Sequence, residues 1–415
     1  MLIKERKIWT PDNSFLLKYR EEIESGKIIA GWELRQELTN LKEDFSNDEY
    51  FYNTDAALLR MDFMENCVKL TKSPFYGQPM VLMLWQKAFI EAVYSFKMSE
   101  ESLERGMMID RFKKILLLIA RKNTKSETCS AIAVTELFVG NEGADIVCSS
   151  NDDNQASITY DAIDTMRQLI DPRDLDSKKN QRFILNKSTN SKVFKLSDRT
   201  KNKEGRNIDF AIVDETHEMK TNVIGKSIEQ SQSLKDNPKF VDITTEGFVQ
   251  EGYLDDELEK GHGVINGEDD TKAGKRLLPW LYTQDSEQEV FTNPKSWMKS
   301  NPTLGVVKKV SYLEEQVELA KKSKGDRIFV LAKDFNIKQN SVEMWLNLED
   351  YNFDATYDLE EFRGAPCLGA VDLAETMDLC CAKVLLMKDD GKKYIHTMYF
   401  IPERKLEDDD DSCAG

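Results

Sequence analysis

ILLLIARKNTKS, residues Ile115–Ser126, is the stretch from which the rest of the chain can be read. Ile115–Ile119 is a short, continuous apolar run of the kind found in strands buried on both faces. Residues from about Ser126 to Val139 then carry a helical pattern. A strand that turns directly into a helix aims backbone N–H groups and the positive end of the helix dipole at one point, which favours an anion. Phosphate loops of this type add a lysine for the β/γ phosphates and a hydroxyl for Mg²⁺. Lys125 and Ser126 have the right chemistry and order. The usual G-x-x-x-x-G-K-[ST] would place glycines at Ile119 and Thr124, and neither is present. The Cβ of Thr124 opposes the left-handed backbone that glycine permits, so the loop is expected to be strained.

Further along, apolar strands alternate with amphipathic helices. IVCSS (Ile146–Ser150) precedes a helix from about Gln155 to Ile170, and FAIV (Phe210–Val213) and FVDIT (Phe240–Thr244) read as further strands. This alternation predicts an α/β fold with a mostly parallel sheet and flanking helices, of the P-loop NTPase type. Upstream, helical stretches such as Asp55–Leu70 suggest an N-terminal helical region over residues 1–70. Gly252–Asp285 is acidic and reads as an exposed excursion, and Tyr312–Ser323 as a surface helix. Past a boundary near Gln339–Asp350, LGAVDL, KVLLM and YIHTMYF suggest a meander. The resulting division is 1–70 helical, 71–345 ATPase-type with a lid, and 346–415 a second domain. The length suits more than one core.

Asp214 and Glu215 leave the strand that ends at Val213, and Asp214 lies 89 residues after Lys125. In an open parallel sheet both motifs emerge at strand C-terminal ends, where ligands bind. An acidic pair there suits a nucleoside triphosphatase, the Asp holding Mg²⁺ and the Glu polarising the attacking water. His217, two positions on, reads as a packing residue at a helix start rather than a catalytic base.

Composition narrows the classes. With 57 Lys and Arg against 74 Asp and Glu the net charge is −17, which argues against wrapping a nucleic acid over the whole surface. A local basic stretch survives from Lys187 to Arg206, seven cations against two acids, and reads as a solvated loop or a DNA-facing patch. The seven cysteines are scattered with no C-x-x-C pair and only three histidines accompany them, so neither a zinc site nor a disulfide framework is expected. No run reaches the ~18–20 apolar residues of a membrane span, and the N-terminus lacks a signal-peptide pattern. A soluble, cytoplasmic protein is expected.

Several segments carry a resemblance. ARKNTKS (Ala120–Ser126) resembles the ARKNGKS phosphate loop of tailed-bacteriophage terminase large subunits, and IVDETHEMK (Ile212–Lys220) is similar to their VFDEAHEMK. ITTEGF (Ile243–Phe248) resembles the ITTAG strand end, LWQKAFI (Leu84–Ile90) the WQ segment, and WMKSNPTLG (Trp297–Gly305) the W-x-x-x-NP-x-LG lid segment. The resemblance implies that Lys122, Asn123, Thr124, Lys125 and Ser126 bind ATP, with Ser126 and Asp214 on Mg²⁺. It implies that Glu215 activates water and that Arg121 or Lys122 senses the γ-phosphate, Arg121 as a possible cis arginine finger. Gln86 would contact adenine, and Thr244 and Thr245 would couple nucleotide state to DNA movement. Double-stranded DNA, a portal protein and a small terminase subunit are the implied partners. A homo-oligomeric ring in the cytoplasm of the infected bacterial host is implied as well.

LGAVDLAETMDL (Leu368–Leu379) is similar to the family's G-x-D-L-S-x-T-x-D-L, which opens an RNase H-like nuclease. Such a site holds two divalent metals between carboxylates from separate strands. Asp372 would be the first metal ligand and Asp378 an accessory acid. The family carries further acids beyond the segment matching YFIPE (Tyr399–Glu403), whereas here only the run Glu407–Asp411 follows, which reads as a tail. The expectation is an incomplete nuclease domain and doubtful cleavage. Two alternatives stand beside a DNA-packaging motor: another DNA-translocating P-loop ATPase such as a helicase, and an inactive prophage remnant.

Overall fold

The computed structural model describes residues 7–197, 206–339, 357–373, 380–388 and 392–400. The chain opens with α1 (Phe15–Glu24), α2 (Trp32–Asp44), β1 (Tyr50–Tyr52), α3 (Asp55–Cys67), α4 (Leu84–Ser95), β2 (Phe96–Met98) and α5 (Ser99–Arg105). The sheet then starts with β3 (Lys114–Leu118), α6 (Lys125–Val139), β4 (Asp145–Ser150) and α7 (Asp153–Ile170). It continues through β5 (Ser177–Lys179), β6 (Phe183–Asn186), β7 (Lys192–Ser197), β8 (Ile208–Asp214), α8 (Val223–Ser231) and β9 (Lys239–Thr244). After these come α9 (Tyr253–Ile265), β10 (Leu277–Leu281), α10 (Glu287–Thr292), α11 (Val310–Lys322) and α12 (Lys324–Phe335). Last are β11 (Cys367–Asp372), β12 (Cys380–Met387) and β13 (Lys393–Phe400).

The main sheet has eight strands in the order β10-β3-β9-β8-β4-β7-β6-β5. From β10 to β7 all neighbours are parallel, and β6 and β5 close that side as antiparallel additions. Two-residue alternation explains how one strand serves two cores. Ile115 and Leu117 of β3, Ile146 and Cys148 of β4, and Phe210 and Ile212 of β8 join the core that also takes α1, α3, α4 and α6. The intervening Val147, Ala211 and Val213 face a second core with Ile224 and Ile228 of α8 and Tyr253 of α9. Each fully buried aliphatic side chain contributes about 1.5–3 kcal/mol, which is why the strands read as unbroken apolar runs.

The N-terminal helices share the core of the sheet, with Leu16, Leu34, Met61 and Trp85 in the same cluster as Ile115. Glu91 of α4 ties this region together. Its buried carboxylate accepts from the backbone N–H of Phe15 at 2.6 Å and from the Tyr52 hydroxyl at 2.8 Å, so α1 begins on a negative charge.

Two expectations are corrected. Gly252–Asp285 is not an exposed excursion. Leu254, Gly261 and Ile265 of α9 are buried, and β10 is a wholly buried strand parallel to β3 with Trp280 at 0% exposure. The acids of α9 that suggested exposure, Asp256 and Glu259, line its outer side. Pro279 disguised the strand, yet β10 is an edge, where proline is tolerated. The basic stretch Lys187–Arg206 is not simply a loop either, because Lys192–Ser197 forms β7. Lys195 Nζ lies 2.8 Å from Asp153 Oδ2, and the Arg206 guanidinium sits 3.9 Å from the centre of the Phe194 ring. Arg199, Lys201 and Lys203 lie outside the described residues.

The chain divides into two compact units, Met1–Met344 and Trp345–Gly415. In the second, β11, β12 and β13 form the expected antiparallel meander. Tyr357, Phe362 and Tyr394 cluster against it with ring centres 4.7–5.4 Å apart. No helix among the described residues is long and apolar enough to cross a membrane.

Candidate active site

The turn after β3 and the end of β8 meet at the C-terminal edge of the sheet. Thr124 is the N-cap of α6 with φ 61° and ψ 15°, the left-handed position where the usual motif has glycine. Lys122 (φ 64°) and Glu215 (φ 55°) share that conformation. These are three of the seven non-glycine residues with positive φ among the described residues. Such strain persists where surrounding bonds fix the backbone, and it gathers at functional sites.

Lys125 Nζ donates to Glu215 Oε1 at 2.9 Å, and Ser126 Oγ donates to Asp214 Oδ2 at 2.9 Å. Thr159 of α7 adds a second donor to Asp214 Oδ2 at 3.1 Å. The Glu215 backbone N–H bonds the Ile243 carbonyl at 3.0 Å, which anchors the acid to the neighbouring strand β9. Burial pushes the Asp214 carboxyl above the usual range against the pull of the Lys125 ammonium. Burial would also raise Glu215, but His217 and Lys125 outweigh it and hold that carboxyl well below the usual range. Thr124 Oγ1 is buried with no hydrogen-bond partner, and Glu215 Oε2 has only the His217 ring beside it, at 3.2 Å. A lysine, a hydroxyl and two carboxylates at a helix N-terminus, with polar atoms to spare, fit a phosphate chain and a hard cation.

The remaining predicted residues divide. Thr244 and Thr245 are buried beside the acidic pair, and the Ile119 N–H bonds the Thr244 carbonyl at 3.1 Å. Asn123 is fully buried, and its side chain faces the segment Asn301–Thr303. Its Nδ2 donates to Ala120 O at 2.9 Å and Asn301 Oδ1 at 2.8 Å, while its Oδ1 accepts from the Thr303 hydroxyl at 2.8 Å. Arg121 is exposed, with its guanidinium 5.5 Å from the Phe329 ring centre and its N–H on the Lys333 carbonyl. Gln86 is buried, with Oε1 taken by the Met83 N–H at 2.8 Å and Nε2 given to Thr128 Oγ1 at 2.7 Å. It reaches the first turn of α6 rather than the loop itself.

Reading the sequence missed several contributors. Thr159 and Lys333 lie in segments that carried no motif signal. Lys333 Nζ donates to the Glu246 carbonyl at 2.8 Å, and burial together with the Arg121 charge lowers its pKa to about 8. His217 does sit at a helix start, the 3-10 turn Thr216–Glu218, and is packed, but its ring also lies 3.2 Å from Glu215 Oε2. In the second unit Asp372 ends β11 exposed, opposite Cys381. Among the described residues no group of three or more His, Cys, Asp or Glu is placed to hold a metal. Asp378 lies outside the described residues.

Comparison with known proteins agrees with this architecture of a nucleotide-type parallel sheet followed by a strand meander. Residues 85–263 match the family described as terminase large subunit, ATPase domain, and residues 277–411 match terminase large subunit, endonuclease domain. The chain belongs to the terminase large subunit family. It is 28% identical over 198 residues to Protein YmfN of Escherichia coli (strain K12), covering 47% of this chain and 43% of that protein. It is 22% identical over 400 residues to the terminase large subunit of Lactococcus phage p2, covering 94% of this chain and 70% of that one. The chain thus spans less than half the length of YmfN and about two-thirds of the phage protein. Among solved structures, the large terminase of bacteriophage HK97 shares the fold with a TM-score of 0.57 at 20% identity, over 85% of this chain and 69% of that one.

Proposed function

We propose that this chain is the ATP-hydrolysing motor of DNA packaging, moving viral double-stranded DNA into a procapsid. The observation that carries the reading is the closed set Lys125–Glu215 and Ser126–Asp214 at the C-terminal edge of the sheet, hydrogen-bonded to the end of β9. In this reading residues 71–345 are the ATPase domain with its lid, and residues from 346 onward open the nuclease.

The Lys125 ammonium exchanges the Glu215 carboxylate for the β/γ phosphates of ATP. One anion replaces another, so no buried charge is left unpaired. Glu215, released, orients and polarises the attacking water through its freed oxygens. Ser126 and Asp214 would hold Mg²⁺, which would supply positive charge against the charge developing on the phosphates. The backbone of Lys122–Thr124 curls round the phosphates, Arg121 or Lys122 reads the γ-phosphate, and Gln86 meets adenine after releasing Met83 or Thr128. Thr244 and Thr245 carry the change to the DNA-moving elements. Asp372 and Asp378 are assigned to the two-metal nuclease site, with no step derived through it. Duplex DNA, the portal protein and the small subunit are the partners of a ring working in the host cytoplasm.

The test is ATP binding and hydrolysis by the purified chain with Lys125→Ala beside it. The variant should lose about 10²-fold or more in turnover together with nucleotide affinity, because it removes a charged phosphate contact. A variant as fast as the parent chain would overturn the assignment.

A further inference from the structure

We infer that His217 is a positioning residue that links the water-activating carboxylate of Glu215 to the strand end Thr244–Gly247. The inference rests on the reading of Glu215 given above. His217 is 5% exposed, and its backbone N–H donates to Thr244 Oγ1 at 3.1 Å. The ring Nδ1 lies 3.2 Å from the same Thr244 oxygen and 3.2 Å from Glu215 Oε2. The Thr244 hydroxyl spends its own hydrogen on the Thr245 carbonyl at 2.8 Å. Its oxygen is therefore an acceptor toward the ring, and Nδ1 carries the hydrogen. One N–H thus stands between two acceptors, one on the acid and one on the strand end.

The other face of the ring is fixed as tightly. A Cβ added at Gly247 would lie 2.6 Å from His217 Cδ2 and 2.8 Å from its Cβ. Residue 247 must lack a side chain for this imidazole to keep its place. Glu246, next to it, is held from α12 through the Lys333 bond to its carbonyl. The ring is therefore wedged between the acid and a segment that is tied to the lid.

A single donor cannot serve both acceptors fully. When Lys125 holds Glu215, the carboxylate stands still and Nδ1–H is shared. When the carboxylate turns to a water, Nδ1–H follows it or falls back on Thr244, and the packed contact with Gly247 transmits the difference. That is a discrete two-position element biased from the nucleotide side, the physical requirement for coupling two sites.

The experiment measures ATP hydrolysis by the full chain with and without linear duplex DNA, alongside the affinity for a fluorescent ATP analogue. His217→Ala should keep that affinity within about twofold while DNA-stimulated kcat falls about 10-fold or more, a loss confined to the later step. His217→Asn, whose amide N–H replaces Nδ1–H, should recover most of the rate. Gly247→Ala, which displaces the ring, should copy the loss, and the double variant should be no slower than either single one. Equal rates for His217→Ala and the parent chain, failure of Asn to do better than Ala, or multiplying losses in the double variant would each overturn the inference. Glu215→Ala separates the two levels. If it abolishes hydrolysis while His217→Ala is as fast as the parent chain, the link alone is wrong. If Glu215→Ala hydrolyses normally, the reading beneath the link falls and the link with it.

Discussion

Thr124 holds a left-handed backbone at φ 61°, and a β-branched residue pays about 1–2 kcal/mol there. Glycine would remove that strain but adds about 0.5–1 kcal/mol of unfolded-chain entropy. Thr124→Gly should therefore stabilise the chain by up to about 1 kcal/mol in urea denaturation without weakening ATP binding; a loss of stability would show that the hydroxyl compensates. Asp242 makes a second residue-level prediction. Fully buried on β9, it accepts the Tyr253 hydroxyl at 2.7 Å, and burial raises its carboxyl to about 7. Because the folded value exceeds the unfolded one, its contribution is complete below about pH 4 and is lost as pH rises through about 7. Asp242→Asn, neutral at every pH, should lose that dependence and exceed the parent chain at pH 8 by on the order of 2–4 kcal/mol. Equal denaturation midpoints at pH 5 and pH 8, relative to the parent chain, would contradict this. At this scale the sequence was partly legible. Lys125, Ser126, Asp214 and Glu215 stood out because their chemistry is tied to strand ends. The roles of Asn123 and His217 did not, because they depend on which distant segment packs against them.

The turn between β3 and α6 is locked to the segment Asn301–Thr303, and through it to the end of α12. Asn123 joins the loop to Asn301 and Thr303, and Asn301 in turn donates to the Asp334 carbonyl at the end of α12 at 2.8 Å and accepts from Lys308 at 2.8 Å. Asn123→Ala strips bonds from buried partners and should cost about 2–4 kcal/mol, read as a lowered denaturation midpoint. A change below about 0.5 kcal/mol would mean that the segment is held by other contacts. Among the elements, β3, β4, β8 and β9 were readable because strands buried on both faces are unbroken apolar runs. β10 escaped since LLPWL carries a proline and follows acidic α9, although as an edge strand it gives up no ladder bond there. The additions β5 and β6 escaped because SKK and FILN are too short to show a period. Helix α9 was hidden by composition, its apolar positions spaced three and four apart among acids.

At the scale of the molecule, a net charge of −17 confines any electrostatic grip on a nucleic-acid backbone to a limited surface. Order along the chain was legible in outline: parallel strands first and a strand meander last. What the sequence could not display was that the N-terminal helices fold into the core of the sheet, since Leu16 and Ile115 meet only in three dimensions. Lys125, Glu215 and Thr244 all lie in the first unit. The most direct measurement of the motor claim is the ATP hydrolysis rate of the purified chain with and without linear duplex DNA, set beside Glu215→Gln. The account predicts hydrolysis that rises with DNA, and a variant that still binds ATP but turns over about 10²-fold or more slowly. A chain that binds ATP and never hydrolyses it, or a Glu215→Gln variant as fast as its parent, would contradict it.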